Sequence, residues 1–422
     1  MKRKLIAAIG AAGMLVSVAA CGSDDGKSTG ADGFKGQTLT VWAMDGSTPD
    51  GWSKDVKAAF EKKTGAKLKV EIQQWNGIQQ KLTTALSEEN PPDVFEIGNT
   101  QTPAYAQTGG LAELEDLKKS IGADWTETLN EPSVFDGKQY AAPWFAANRV
   151  VVYNKRVFKE AGVTGIPETR AELFEAFDKI KAKGKAEPVY MPGQNWYFFD
   201  GLTIGTGAEL VKKKGDKWVS NLADPKVGEA MDIYKKYASY STAPKDKDEA
   251  TPQQGEVFAK GKTGAFIGMG WESGIAIKAN PKIEKDIGYF TIPGDTADKP
   301  EGVFLGGSNL AVAAGSEKQE LAKEFLKIAL SDKFEGQLSK ELGVIPNKES
   351  LQKNLQGQPA GEAAAPAVAG GGTTPLIPEW AAVENPPNPI KTYMTAVLNG
   401  KSHAAAAKQV EGEFNKRLAQ KQ

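Results

Sequence analysis

The chain has 422 residues with 52 basic and 53 acidic side chains, a net charge of −1 that gives no electrostatic reason to bind nucleic acid. Its single cysteine excludes an internal disulfide, and its single histidine, His403 in an Ala-rich tail, removes Ser-His-Asp and Cys-His nucleophilic chemistry and most zinc sites. No metal and no cofactor are expected from such a composition.

Lys2, Arg3 and Lys4 precede an apolar run from Leu5 to Val18 and then Ala19-Ala20-Cys21. A charged head, a short apolar middle and a small-residue exit are what a secretory signal requires. The run is too short to cross a bilayer, which takes about 20 apolar residues. Leu15 to Cys21 (LVSVAAC) resembles the lipobox of bacterial lipoproteins. That resemblance implies a leader at 1–20, a lipid on Cys21 and a protein held at the outer face of the cell membrane. Simple secretion, with Cys21 cut away, is the alternative. Residues 21–36 read as a flexible tether, since Gly, Ser and Asp with only Phe34 as a large apolar side chain cannot bury enough surface to order themselves.

The remaining chain, about 385 residues, is too long for one comfortable core and points to two lobes. Thr38 to Ala43, Leu68 to Gln74 and Asp93 to Ile97 read as strands, separated by amphipathic helices over 53–63 and 77–87. Alternation of this kind predicts a mostly parallel sheet covered by helices, an α/β fold, with ligands beyond the carboxyl ends of its strands. The segments at those ends carry Asp45, Trp75, Asn99 and Gln101. Further on, Val150 to Tyr153 is an apolar strand, Thr169-x-x-Glu172 a capping box, and Trp196 to Phe199 a run of four aromatics that cannot all face one core. Lys212 to Ser220 reads as a hairpin, Thr263 to Met269 as a buried strand ending at Trp271 and Glu272, and Val303 to Ala313 as a strand interrupted by Gly306-Gly307. That glycine pair fits either a close approach of another backbone or ligand, or a bulge. From Ser316 the chain is mainly helical, with a second capping box at Ser316-x-x-Gln319 and a closing helix from Lys401 to Leu418.

Five segments in this order resemble the extracellular solute-binding proteins of ABC importers, in the sugar-binding group similar to maltose-binding protein: LTVWAMD, PPDVFEIGNTQTPAYAQTGGLAEL, YAAPWFAANRVVVYNKRVFKEAG, GKTGAFIGMGWESG and FLGGSNLAVAAGSEKQELAKEFLKIAL. The layout of Pro375 to Glu384 resembles the oligosaccharide receptors of actinobacteria. The resemblance implies a periplasmic-binding-protein type II-like fold, two α/β lobes joined by hinge strands around a ligand cleft. One lobe would hold 37–146 and 304–350, the other 147–303 and 351–422. It further implies a monomer that takes up an oligosaccharide, closes around it and delivers it to a membrane-embedded permease. A P-loop is absent, because Gly255 to Thr263 is one residue too long for the pattern.

A pyranose offers an apolar C–H face to aromatic rings and a rim of hydroxyls to carboxylates and carboxamides. Of the nine tryptophans, Trp75, Trp144, Trp196, Trp271 and Trp380 lie beside strand ends or in loops that would face the cleft. Trp271 and Trp380 resemble the family's stacking positions. Asp45, Asn99, Gln101, Asn195, Glu272 and Asn309 are the candidate polar contacts. Several stacking rings imply a di- or trisaccharide, with chitobiose, xylobiose and cellobiose as candidates. An exported polysaccharide-cleaving enzyme and the same fold binding a polyamine or peptide are the competing readings.

Overall fold

The computed structural model describes residues 31–75 and 77–420; the leader, Cys21 and most of the tether lie outside them. Among the described residues no helix is long and apolar enough to cross a membrane.

Ten strands build two separate sheets. We label them β1 (Thr38–Met44), β2 (Lys67–Gln73), β3 (Val94–Gly98), β4 (Ala141–Ala147), β5 (Val150–Asn154), β6 (Glu187–Tyr190), β7 (Thr263–Gly268), β8 (Ile287–Phe290), β9 (Gly306–Val312) and β10 (Ile345–Pro346). The first sheet has the order β10-β4-β9-β3-β1-β2 and the second β8-β5-β7-β6. Strands β1, β2 and β3 are parallel as expected, with Val41 opposite both Val70 and Val94. Strand β9, however, enters antiparallel between β3 and β4, and β7 runs antiparallel to β5, so both sheets are mixed. The antiparallel entry follows from the route of the chain, which reaches β9 from the other lobe and therefore from the opposite end of the sheet.

Each sheet carries its own core. Trp52, Val56 and Phe60 on one face of the Trp52–Thr64 helix pack with Phe325 and Phe334 over the first sheet. Val151, Phe177, Phe199, Tyr234 and Phe266 do the same for the second. Phe34, expected in the tether, belongs to a short turn at Ala31–Phe34 and packs against the first core. The helix caps explain several starts. Thr169 Oγ1 accepts from Glu172 N at 3.2 Å and Asp224 Oδ1 from Lys226 N at 2.9 Å. The second expected box fails: Ser316 Oγ donates to Asp93 Oδ1 at 2.7 Å instead, and the helix begins at Gln319.

Among the described residues the chain passes between the lobes three times. It crosses at Asn148–Arg149 between β4 and β5, and again at Val303–Leu305 ahead of β9. The third passage follows Glu349–Leu355, which packs on the first-lobe helix Asp332–Leu342, and precedes Pro359–Ala364, which packs on β8. Gly307 is needed for strand contact, because a Cβ there would lie 2.2 Å from the Phe145 carbonyl oxygen. The bulge falls one step later, between Ser308 and Asn309.

One buried acid in the first lobe has a measurable consequence. Glu335 is fully buried, accepts only a 3.4 Å hydrogen bond from Asn347 N, and its Oε1 has no partner. Burial raises its pKa well above the ordinary 4.5. The native state therefore keeps a proton that the unfolded chain releases above that value, so stability falls as pH rises from there. Glu335→Gln is expected to be more stable than the parent at pH 8 and to show a flatter dependence between pH 5 and 8 in urea denaturation. An unchanged pH profile would mean the acid is not buried in this way.

Candidate ligand cleft between the lobes

A cavity of about 630 Å³ lies between the two sheets. On the first-lobe side it is lined by Asp45, Trp75, Asn99, Thr100, Gln101 and Phe145, on the other by Arg149, Tyr197, Trp271 and Glu384, and at the second crossing between them by Phe304. A larger groove, about 780 Å³, runs past Glu71, Lys81, Pro91 and Lys318, but it lies on the first lobe alone.

Trp271 caps the helix Glu272–Ala279 just beyond β7, and 63% of its surface is exposed. Trp75, after β2, is 45% exposed. Two indoles this open in a cavity can offer their faces to an apolar surface, and burial of such rings is worth about 2 kcal/mol each. Between the lobes Tyr197 stacks on Phe304, with ring centroids 4.6 Å apart and planes within 14°. The Arg149 guanidinium lies 5.2 Å from the Tyr197 ring and pairs with Glu249 at 2.5 Å. Burial raises the Tyr197 phenol well above its usual pKa, so it is a neutral donor and acceptor. Asn99 Nδ2 donates to the Leu305 carbonyl at 2.8 Å, and Glu384 accepts from Thr100 Oγ1 and Gln101 Nε2. Burial pushes the Glu384 carboxyl up to about 7. Aromatic faces, neutral hydroxyl and amide groups and few charges suit a polar, uncharged ligand with apolar faces.

Of the residues singled out from sequence, Asp45, Trp75, Asn99, Gln101 and Trp271 line the cavity. Six others are turned away from it. Trp144 is buried 5.6 Å from Trp52, because alternation along β4 sends it to the core and its neighbour Phe145 to the cleft. Trp196 is buried at the first position of its helix, and the next residue, Tyr197, reaches the cavity. Asn195 caps that helix and donates to the Ile267 carbonyl at 3.1 Å. Glu272 folds back to accept from Met269 N at 2.7 Å, and burial pushes its carboxyl up to about 7. Asn309 donates to Thr102 Oγ1 at 2.9 Å. Trp380 is fully buried, packed 6.2 Å from Phe414 with Nε1 donating to Glu384 Oε1. Arg149, Tyr197, Phe304 and Glu384 were missed; the available signal was Arg149 itself, a lone cation between two apolar strands.

The sequence profile of bacterial extracellular solute-binding proteins matches residues 45–335. The chain belongs to this family. As a solute-binding protein it is a receptor and not an enzyme. It is 73% identical to the diacetylchitobiose binding protein DasA of Streptomyces coelicolor over 425 aligned residues, covering 100% of both chains. It is 25% identical to a maltooligosaccharide ABC transporter solute-binding lipoprotein of Streptococcus pneumoniae over 352 residues, 80% of this chain and 79% of that one. Its fold is similar to the GacH receptor of Streptomyces glaucescens, solved unliganded and with acarbose, with a TM-score of 0.75 and 24% identity over 92% of this chain and 99% of the other. The solute-binding fold thus accounts for the two lobes, the crossing strands and the cleft.

Proposed function

We propose that this solute-binding protein captures N,N′-diacetylchitobiose in the cleft and delivers it to the permease of an ABC importer. The observation that carries the reading is identity of 73% along the whole chain to a diacetylchitobiose binding protein. The cleft supports it. Its volume of about 630 Å³ lies within the roughly 300–1,000 Å³ usual for small-molecule sites, and Phe145, Phe304, Leu342 and Val344 offer apolar surface to acetamido methyl groups. Trp271 and Trp75 serve as ring platforms, and Asp45, Asn99 and Gln101 as hydrogen-bonding partners. On this reading the receptor acts as a monomer; the lipobox supports its anchoring through Cys21 at the outer face of the membrane, and the two sheets support a first lobe of 37–146 with 304–350 and a second of 147–303 with 351–422.

Isothermal titration against N,N′-diacetylchitobiose, cellobiose, xylobiose and maltose tests the assignment. Diacetylchitobiose is expected to bind one to one with a dissociation constant of about 1 μM or below, at least tenfold tighter than the others, and to come back uncleaved. Tighter binding of an unacetylated disaccharide would overturn the choice of sugar.

A further inference from the structure

Glu384 belongs to the second lobe, yet two of the three hydrogen bonds it accepts come from the first. Thr100 Oγ1 and Gln101 Nε2, just beyond β3, donate to its Oε2 at 2.8 and 2.7 Å. The third comes from its own helix, Trp380–Glu384, where Trp380 Nε1 donates to Oε1 at 2.8 Å. That helix stands on a fixed mount. Arg417, on the closing helix His403–Leu418, donates from Nη1 to the carbonyls of Ala382 at 2.9 Å and Asn385 at 2.5 Å, and Trp380 is wedged against Phe414. One carboxylate oxygen is thus held by the second lobe while the other reaches into the cleft and takes both donors that the first lobe offers.

A desolvated carboxylate is unfavourable without donors, and charge-assisted hydrogen bonds are the stronger kind. Separation of the lobes breaks both contacts at Oε2 together, exchanges them for water and leaves Trp380 as the one protein donor of the three. Asp200 and Tyr197, on the adjacent helix Trp196–Gly205, carry no positive charge, and Arg149, the cation in the same cavity, is already paired with Glu249. Among the six residues that sequence reasoning misplaced, Trp380 therefore has a role that its burial hides.

We propose that Glu384 is the clasp between the lobes, the acceptor through which the second lobe holds the turn at Thr100–Gln101, and that Trp380 is a positioning residue acting through it. The clasp sets how Trp271 on one lobe faces Asp45 and Trp75 on the other, and so fixes the width of the sugar site; this last consequence rests on the sugar reading, the clasp itself does not.

Spin labels on cysteines placed at two exposed positions, Gln80 on the first lobe and Lys278 on the second, in a Cys21→Ser background, report the lobe separation of the full ligand-free chain. The parent protein is expected to show a short-distance population, and Glu384→Gln to shift the ratio of separated to joined molecules roughly tenfold toward separation. Thr100→Val with Gln101→Leu removes the donors from the opposite lobe and is expected to give the same shift, which keeps the test decisive if Glu384→Gln folds poorly. Trp380→Phe keeps most of the packing and loses only the N–H. It should move the distances part of the way alone and no further when combined with Glu384→Gln, a non-additivity that a purely structural role would not produce. Distance distributions that coincide in all these variants overturn the clasp. In the binding arm, diacetylchitobiose affinity is expected to drop about tenfold in Glu384→Gln. If the variants show the distance shift while the parent protein binds no disaccharide, the sugar reading is sunk and the clasp stands.

Discussion

Trp271→Ala is expected to weaken disaccharide binding by on the order of 30-fold or more while leaving the melting temperature of the ligand-free protein within about a degree of the parent. The indole lies open at the lip of the cleft, 63% exposed, so the unliganded fold gains little from it. A sugar ring laid on it buries both faces, and loss of about 2 kcal/mol of burial and stacking corresponds to that factor in the dissociation constant. Titration calorimetry with the best-binding disaccharide reads the affinity, and a thermal scan without sugar reads the fold. Unaltered affinity would remove Trp271 from the site. A large fall in melting temperature would mean that the ring packs in the free protein.

Trp380→Ala should behave in the opposite way. Two indoles that look equivalent in the sequence, each beside an acidic residue, differ completely in surroundings, because Trp380 is fully buried among Val383, Phe414 and the core of the second lobe. Truncating a buried tryptophan leaves a cavity and costs about 3–5 kcal/mol. Urea denaturation is expected to show a lower midpoint for this variant, with a loss of that size, whereas Trp271→Ala scarcely moves it. Equal stability of the two variants would contradict the packing described for Trp380.

The contrast shows what could be read from residue order. Periodicity identified the strands and helices because burial on one face leaves a repeat of 2 or 3.6 in any chain that folds this way. The choice of face was less accessible. At β4 the ring in the cleft is Phe145 and not Trp144, and at the helix that follows Asn195 it is Tyr197 and not Trp196. In both cases residue type suggested the indole, and one step along the chain turned it to the opposite side. At Trp75 and Trp271 type and direction agreed, since each lies just past the end of a strand and its side chain has no neighbouring element to cover it. Arg149, Phe304 and Glu384 come from the first crossing, the second crossing and the C-terminal region. Their meeting is a product of the three passages between lobes, and no local pattern encodes it. The antiparallel entry of β9 has the same origin.

The fold and the cleft lead to one expectation above the rest, that a disaccharide binds between the lobes with a ring on Trp271. A crystal structure of the protein grown with saturating N,N′-diacetylchitobiose tests it most directly. Density for both rings is expected inside the cleft, one of them parallel to the Trp271 indole and the other within hydrogen-bonding reach of Asp45 or Gln101. Sugar density anywhere else on the surface, or a cleft that holds only water at that concentration, would contradict it.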